Sequence, residues 1–210
     1  FTGNLSKNEI SFHRYQMKND EASLSSDLVY NIVQDEKYSY WVSSENGLNR
    51  IDFDTTDYKN AKFTKYVAND GKGSLKNNSV LNTFLDSDRT LWISTQSGIH
   101  KYNEQEDAFV HYGKDDGLSN DYVYSLLEDA EENLWMSTND GLFRFDRKTE
   151  KFTHFTVKDG LQSSEFNLGA HFNDTDNNQL YFGGINGYNS FKPDKAHQLD
   201  WQGKLSFTSL

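Results

Sequence analysis

Three groups of side chains have types and spacings that would suit chemistry. Asp174, Asp176 and Asn178 have the D-x-D-x-N spacing of a calcium loop. His111 and His154 lie in the similar segments FVHY and FTHF. The 32 acidic residues are numerous enough to supply a carboxylate pair of the glycosidase kind. Calcium binding, imidazole chemistry and glycoside hydrolysis are therefore the activities to weigh.

The calcium motif is incomplete in this sequence. It needs Gly at its sixth position and Glu at its twelfth, and these places hold Gln179 and Ile185. Asp86 and Asp88 occupy the corresponding place elsewhere in the chain, as expected of a recurring polar turn. We therefore predict a turn between two strands at Asp174 and no metal site.

The two histidines occupy a position that also accepts other basic residues. Arg14 and Lys65 take the equivalent place in two further segments. A position that accommodates His, Arg and Lys favours a solvated outward face over a metal or catalytic site, because metal binding demands a fixed ligand geometry. The sequence thus predicts no metal ligand here.

The acids also recur, at Asp35, Asp86 and Asp129, whereas a catalytic acid should be unique. No G-x-S-x-G elbow, phosphate loop or dinucleotide fingerprint is present. The sequence therefore predicts no catalytic residue, no cofactor and a chain that is not an enzyme. A hydrolase or lyase acting on polysaccharide stays open as the alternative.

Internal repetition organises the chain. Aromatic residues 41, 92, 135 and 181 lie in the similar segments YWVSSENG, LWISTQSG, LWMSTNDG and LYFGGING. Their spacings are 51, 43 and 46 residues (41 to 92, 92 to 135, 135 to 181), and Gly47, Gly98, Gly141 and Gly187 repeat with the same spacings. Four copies in register indicate one structural unit used four times.

Each copy reads as four short strands. A leader segment with alternating apolar residues precedes the aromatic segment, a glycine hairpin follows it, and an aromatic pair such as Phe109 and Tyr112 closes the unit. No helix is predicted. Such units must stack around an axis to bury both faces, with residues 41, 92, 135 and 181 packing between neighbours. The predicted fold class is all-β, with about four four-stranded β-propeller blades in an incomplete ring; a β-sandwich is the rival architecture.

Blade boundaries follow from the leaders. The predicted blades are 24–74, 75–117, 118–160 and 161–195, and the first carries an insertion near Asp57 to Ala61. Residues 1–23, with Phe12 and Tyr15, are predicted to end a preceding blade and form a linker. Residues 196–210 are predicted to begin with a linker.

Composition excludes several partners and sites. The chain has 210 residues, a formal net charge of -11 and no cysteine. Nucleic acid and anionic membrane surfaces require a cationic footprint, so neither is an expected partner. Disulfides and thiolate metal sites are excluded. No apolar run of 18 residues is present, and the first residues do not form a signal peptide.

The repeat resembles a known family. The segment 118–146, LSNDYVYSLLEDAEENLWMSTNDGLFRFD, resembles the two-component regulator propeller repeat, and the resemblance covers roughly residues 12–195. It implies the periplasmic sensor region of a bacterial hybrid histidine kinase or related receptor, with a kinase or cyclase output outside this chain. The resemblance also implies that residues 196–210 are a linker and the first strand of a following immunoglobulin-like domain. Known sensors of this type carry about fourteen repeats in two rings, so four repeats imply a fragment. Exposed blade faces and strand edges then predict either a curved open arc or self-association into an oligomer that covers the exposed ends.

A ligand is expected where the leader and hairpin loops converge. These loops offer amides and hydroxyls suited to a small polar or carbohydrate ligand, with Tyr30 and Tyr124 available for stacking. The predicted ligand-binding residues are Asn46, Asn77, Gln96, Asn120, Asp121, Tyr122, Asn139, Ser164 and Asn186. The competing interpretation is that they only cap turns. A protein-interaction scaffold is the third functional class.

Overall fold

The computed structural model describes residues 12–54 and 57–196. The predicted strand at 205–210 and the first eleven residues lie outside this range. The predicted domain boundaries remain predictions.

Fifteen strands form four antiparallel sheets within the described residues, here called blades 1 to 4. Blade 1 contains β1 (Val29–Gln34), β2 (Tyr40–Ser44), β3 (Gly47–Asp54) and β4 (Asp57–Tyr66). Blade 2 contains β5 (Val80–Leu85), β6 (Leu91–Thr95), β7 (Gly98–Asn103) and β8 (Ala108–Tyr112). Blade 3 contains β9 (Val123–Glu128), β10 (Leu134–Thr138), β11 (Gly141–Asp146) and β12 (Lys151–Phe155). Blade 4 contains β13 (Phe166–Asp174), β14 (Gln179–Gly184) and β15 (Gly187–Phe191).

Each blade is a simple meander in which sequential strands pair. The inner strands β1, β5, β9 and β13 are neighbours in chain order, so the blades are arranged around one axis. The all-β blade architecture predicted from the repeats is therefore confirmed. Two details differ from prediction. Blade 4 has three strands within the described residues, and 3₁₀ helices occur at Lys114–Asp116, Val157–Asp159 and Pro193–Lys195.

The repeated glycines shape the hairpin between the second and third strands. Gly47, Gly98, Gly141 and Gly187 have positive φ angles of 118°, 82°, 93° and 100°. The hydroxyl at the start of the motif closes the turn, since Thr95 and Thr138 donate to the carbonyls of Gly98 and Gly141 at 3.1 and 2.9 Å. The predicted tight hairpin is thus confirmed.

The tryptophans pack between successive blades, as predicted. Trp41 lies in a cluster with Leu91 and Ile93 of blade 2, and Trp92 lies in one with Leu134 and Met136 of blade 3. Trp135 packs with Phe182 and other residues of blade 4. Burial of each large ring therefore joins one blade to the next.

Tyr181 departs from this pattern. It occupies the tryptophan place in blade 4 but is only half-buried, near Phe172 and Tyr188 of its own blade. Phe172 and Tyr188 are 62% and 69% exposed. Tyr181 therefore faces the end of the arc of described blades rather than a neighbouring blade.

A recurring aspartate anchors each tryptophan. Asp35, Asp86 and Asp129 accept the indole N–H of the tryptophan six positions later at 2.8, 2.8 and 2.7 Å. The other carboxylate oxygen accepts backbone N–H groups of the turn that links the first two strands. The structural role inferred from the repetition of these acids is confirmed, because each one orders a turn and orients a core ring.

Candidate functional site

The arc has two loop faces. The leader face carries the leader loops and the hairpins that contain the repeated glycines. The turn face carries the loops between the first and second strands and between the third and fourth strands. This arrangement follows from the meander, which returns every second loop to the same end of the blade.

Backbone hydrogen bonds tie the leader face together across blades. The N–H groups of Gly47, Gly98 and Gly141 donate to the carbonyls of Asn78, Asp121 and Ser164 at 2.7, 2.6 and 2.6 Å. Each bond joins the hairpin of one blade to the leader of the next. The loops of the leader face are therefore held in fixed relative positions.

A chain of polar side chains crosses three blades on this face. Tyr30 and Ser79 donate to Oε2 of Glu45 at 2.6 and 2.9 Å. The Gln96 amide donates to the hydroxyls of Ser79 and Tyr122 at 3.1 and 2.9 Å. This set, Tyr30, Glu45, Ser79, Gln96 and Tyr122, is called the leader-face network below.

The network is preorganised for hydrogen bonding to a polar solute. The hydrogen bond to Glu45 raises the pKa of Tyr30 to about 12. A tyrosine hydroxyl is protonated at neutral pH in any case, and here it donates to the carboxylate of Glu45. Within the described residues, Oε1 of Glu45 has no hydrogen-bond partner and is available to a ligand hydroxyl. Tyr122 and Tyr124 add two half-buried rings with centroids 4.9 Å apart.

The structure brings together Gln96 and Tyr122 of the predicted binding residues. Asn77 and Asn120 each accept a backbone N–H two residues later, at 2.8 and 3.1 Å, and so also cap their leader turns. Asp121 contributes its carbonyl to Gly98 and its carboxylate to Lys114, at 3.4 Å.

The remaining predicted residues lie on the rim of the leader face. Asn46 and Asn186 are exposed and donate to the leader carbonyls of Ser25 and Gln162. Asn139 is exposed, and Ser164 is exposed while its carbonyl accepts from Gly141. These residues surround the network and leave it accessible.

Sequence reasoning missed Glu45 and Ser79. Aligning the hairpins on their glycines places Glu45, not Asn46, beside Gln96 and Asn139. That alignment was the signal for Glu45. Ser79 had no such signal, because Leu28 and Tyr122 occupy its place in blades 1 and 3.

The histidines of the outer strands are not simply solvated, contrary to prediction. His111 and His154 are half-buried, and their Nε2 atoms lie 2.8 and 2.5 Å from the carbonyl oxygens of Ser97 and Asp140. Each ring therefore braces a hairpin of the leader face. Each contact lies within one blade, because the fourth strand, which carries the histidine, runs beside the hairpin between the second and third strands.

The turn face is held by a charged cluster between blades 2 and 3. The Arg147 guanidinium, which is largely buried, contacts the carboxylates of Asp86 and Glu128 and also bonds the Glu132 carbonyl at 2.5 Å. Burial raises the pKa of Glu128 despite this cation. Both terminal nitrogens and Nε of Arg147 thus contact protein acceptors in blades 2 and 3, which favours a structural role for this cluster.

A cleft of about 1000 Å³ opens on the turn face between blades 1 and 2. Its walls carry charges of both signs, including Arg50 and Asp52, which pair at 3.2 Å. None of the nine predicted binding residues lines it. The cleft is therefore separate from the leader-face network.

The calcium-like segment forms the predicted polar turn. Asp174 ends β13 and accepts hydrogen bonds from the backbone and side chain of Asn177 at 3.2 and 2.9 Å, and Asn178 has a φ of 50°. Among residues 12–54 and 57–196, no cluster of His, Asp and Glu has the arrangement of a metal site. No helix in that part of the chain is long and apolar enough to cross a membrane.

Comparison with known proteins identifies the repeat. Residues 74–97 and 117–140 match the family model described as two component regulator propeller, so the resemblance stated above is confirmed for blades 2 and 3. These segments hold the leader and first two strands of each blade. No curated protein matches the chain.

Solved structures share the fold. The extracellular domain of a protein described as the hybrid two component system BT3049 from B. thetaiotaomicron is 24% identical over 87% of this chain, with a TM-score of 0.70. A corresponding domain of BT4673 from the same organism is 24% identical over 88% of this chain, also with a TM-score of 0.70. Virginiamycin B lyase from Staphylococcus aureus is 16% identical over 85% of this chain and 58% of its own length, with a TM-score of 0.53. The chain spans about a quarter of the two extracellular domains, covering 26% and 25% of their lengths.

Proposed function

We propose that this chain is part of the extracytoplasmic sensor of a bacterial signal-transduction receptor and binds its signal non-covalently on the leader face. The observation that carries the proposal is the leader-face network, which spans three blades and presents hydroxyl, amide and carboxylate groups from different repeats. The extracellular two-component domains that share the fold support the sensor role and a periplasmic location.

The ligand we propose is a small polar solute or a carbohydrate. Such ligands need several fixed hydrogen-bonding groups beside a flat apolar surface. The leader-face network supplies the polar groups, and Tyr122 and Tyr124 supply the rings. The receptor's output domain would lie outside these 210 residues, so the chain itself performs recognition and no chemical step.

The proposal is tested by thermal unfolding with a panel of mono- and oligosaccharides, alongside assays for reducing ends and unsaturated products. A ligand at 100 times its Kd stabilises the folded state by about 2.7 kcal/mol, which raises Tm by roughly 5–10 °C for a chain of this size. We expect such a shift for one member of the panel, with no product. Product release would establish the enzymatic alternative. No shift with any solute would contradict ligand sensing and favour a scaffold.

A further inference from the structure

The leader-face network is built mainly from two positions that recur in every blade. One is the hairpin residue two places before the repeated glycine, and the other is the last leader residue before the first strand. Two of the eight residues at these positions are acidic, and none is Lys, Arg or His. In chain order they are Leu28, Glu45, Ser79, Gln96, Tyr122, Asn139, Glu165 and Ile185. These positions therefore contribute only negative charge to the leader face.

Hydrogen bonds hold the two positions beside each other. In blades 1, 2 and 4 the N–H group of the hairpin position donates to the leader carbonyl of the same blade, from Glu45 to Leu28, Gln96 to Ser79 and Ile185 to Glu165, at 3.0, 3.4 and 3.4 Å. From blade 1 to blade 3 the side chains of the network supply the contact between blades. The bond from Gly141 to Ser164 joins the hairpin of blade 3 to the leader of blade 4. The acids of blades 1 and 4 thus flank the neutral polar groups of blades 2 and 3.

Glu45 is an exposed carboxylate that is fixed in place but has no cationic partner. Its Oε2 atom accepts hydrogen bonds from two side chains of the network. None of the ion pairs among the described residues involves Glu45. Lys114 on the leader of blade 3 pairs with Asp121 at 3.4 Å, and Lys76 on the leader of blade 2 lies near the buried His100. Oε1 of Glu45 is therefore a negatively charged acceptor that no protein cation neutralises.

Glu165 places a second negative charge beside the aromatic residues of the leader face. Its side chain is exposed and takes part in none of the ion pairs of residues 12–54 and 57–196. Burial raises the pKa of Tyr124, with further contributions from Tyr122 and Glu165, so this carboxylate lies close to Tyr124. The two half-buried tyrosine rings therefore lie between the carboxylates of blade 1 and blade 4.

An organic ammonium group matches this arrangement better than a neutral or an anionic group does. A carboxylate accepts charge-assisted hydrogen bonds from an ammonium, and these are about twice as strong as hydrogen bonds between neutral groups. The faces of tyrosine rings also attract a cation. A ligand with a carboxylate or a sulfate would instead meet two like charges that no cation offsets. The charge pattern of the leader face thus disfavours acidic solutes.

We propose that the ligand of the leader face carries a protonated amine, as an amino sugar does, and that Glu45 binds this group through Oε1. Gln96 and Tyr122 hydrogen-bond the hydroxyl groups of the same ligand. The carboxylate of Glu165 adds a longer-range attraction for the positive charge. A cationic ligand narrows the class of polar solutes named above, and its assignment rests on the sensor function proposed there.

Isothermal titration at about pH 6, where amines are protonated, tests the choice of ligand. The probes are the disaccharide of glucosamine and its N-acetylated form, in which a neutral amide replaces each amine. We expect the wild-type chain to bind the glucosamine disaccharide about tenfold more tightly than the N-acetylated form, and Glu45→Gln to bind both equally. Gln at this position keeps the shape of the side chain and an oxygen that accepts from Tyr30 and Ser79, so the fold should be retained.

Glu106→Gln is the matched control, because it removes the same charge from an exposed residue of the turn face. The control is needed because a chain with a formal net charge of -11 attracts any cation weakly. Glu106→Gln should keep the wild-type preference for the amine, and an equal loss in both variants would overturn the proposal. Equal or tighter binding of the N-acetylated form to wild type, or binding of only neutral sugars, would also overturn it and leave the sensor function standing. Failure of every solute to bind would contradict the sensor function as well.

Discussion

At the scale of residues, the third residue of the third strand accepts a backbone N–H from the leader in three blades, with asparagine in two of them and histidine in one. Asn49 and Asn189 accept the backbone N–H of a leader residue at 2.8 Å in blades 1 and 4. In blade 2, Nε2 of His100 accepts the N–H of Lys76 at 3.1 Å. The imidazole is fully buried, and its Nδ1 has no hydrogen-bond partner among the described residues. His100 is therefore a substitute for asparagine and no candidate for catalysis.

The environment of His100 predicts a pH-dependent stability. Burial lowers its pKa to about 3, against about 6.5 in an unfolded chain. Between these values the unfolded state binds the proton more tightly than the folded state. The contribution of the neutral His100 to the free energy of unfolding is therefore fully present above about pH 6.5 and is lost as the pH falls toward 3. We expect His100→Asn to reduce the slope of unfolding free energy against pH in this window by up to about 1.4 kcal/mol per pH unit.

Urea unfolding at a series of pH values measures this slope in both proteins. The carboxylates and His171, whose pKa burial also lowers, are common to both and cancel in the comparison. Equal slopes would show that His100 does not titrate as its burial requires.

The residue scale also shows the limit of sequence reasoning. The aspartates that bind tryptophan were predicted to be structural because they recur. The contacts of His111 and His154 with hairpin carbonyls were not predicted, since a position that accepts His, Arg and Lys looks solvated in sequence. The leader-face network depends on Glu45, whose place the glycine alignment of the hairpins marks, and on Ser79, whose place other residue types fill in blades 1 and 3, so that repetition could not identify Ser79.

At the scale of elements, the hairpin glycines both adopt the positive φ of the turn and donate a hydrogen bond to the next blade. Gly98 has a φ of 82°, and its N–H bonds the Asp121 carbonyl of the next blade at 2.6 Å. Its sequence motif predicted the turn. The inter-blade bond could not be predicted, because it joins a backbone N–H and a backbone carbonyl, which nearly all residue types provide.

Comparing alanine substitutions at Gly98 and Gly160 separates the cost of a positive φ from the cost of a steric clash. Gly98→Ala adds a Cβ 2.2 Å from the Tyr112 carbonyl oxygen, and we expect a loss of at least about 3 kcal/mol of unfolding free energy. Gly160→Ala is the matched control, because Gly160 has a φ of 101° and nothing within 4 Å of an added Cβ. It should cost about 1–2 kcal/mol. Denaturant unfolding measures both, and equal losses would contradict the close approach at Gly98.

Blade 4 has three strands within the described residues, and the sequence differs from the other repeats at the same place. Three repeats end with an aromatic pair, but Phe191 is followed by KPDKAHQ, and Pro193 begins a 3₁₀ helix. The prediction of a fourth strand in the last copy therefore had less support in the sequence than in the other three. Repetition predicts an element reliably only where each of its parts recurs.

At the scale of the whole molecule, the turn face and the leader face are stabilised by different interactions. The turn face is fastened by the Arg147 cluster between blades 2 and 3 and carries the cleft between blades 1 and 2. The leader face presents a polar network fixed by inter-blade backbone bonds. Opposite faces with different chemistry suit a sensor that binds a solute at one face, and the location of binding is the central claim.

Isothermal titration with the sugar that most stabilises the chain tests this claim most directly, in wild type, Gln96→Ala and Gln105→Ala. Gln96 lies in the leader-face network, whereas Gln105 is exposed and lines the turn-face cleft. We predict that Gln96→Ala raises Kd about tenfold, equivalent to about 1.4 kcal/mol, and that Gln105→Ala leaves Kd unchanged. Unchanged affinity in Gln96→Ala with weakened binding in Gln105→Ala would place the ligand on the turn face and contradict the account.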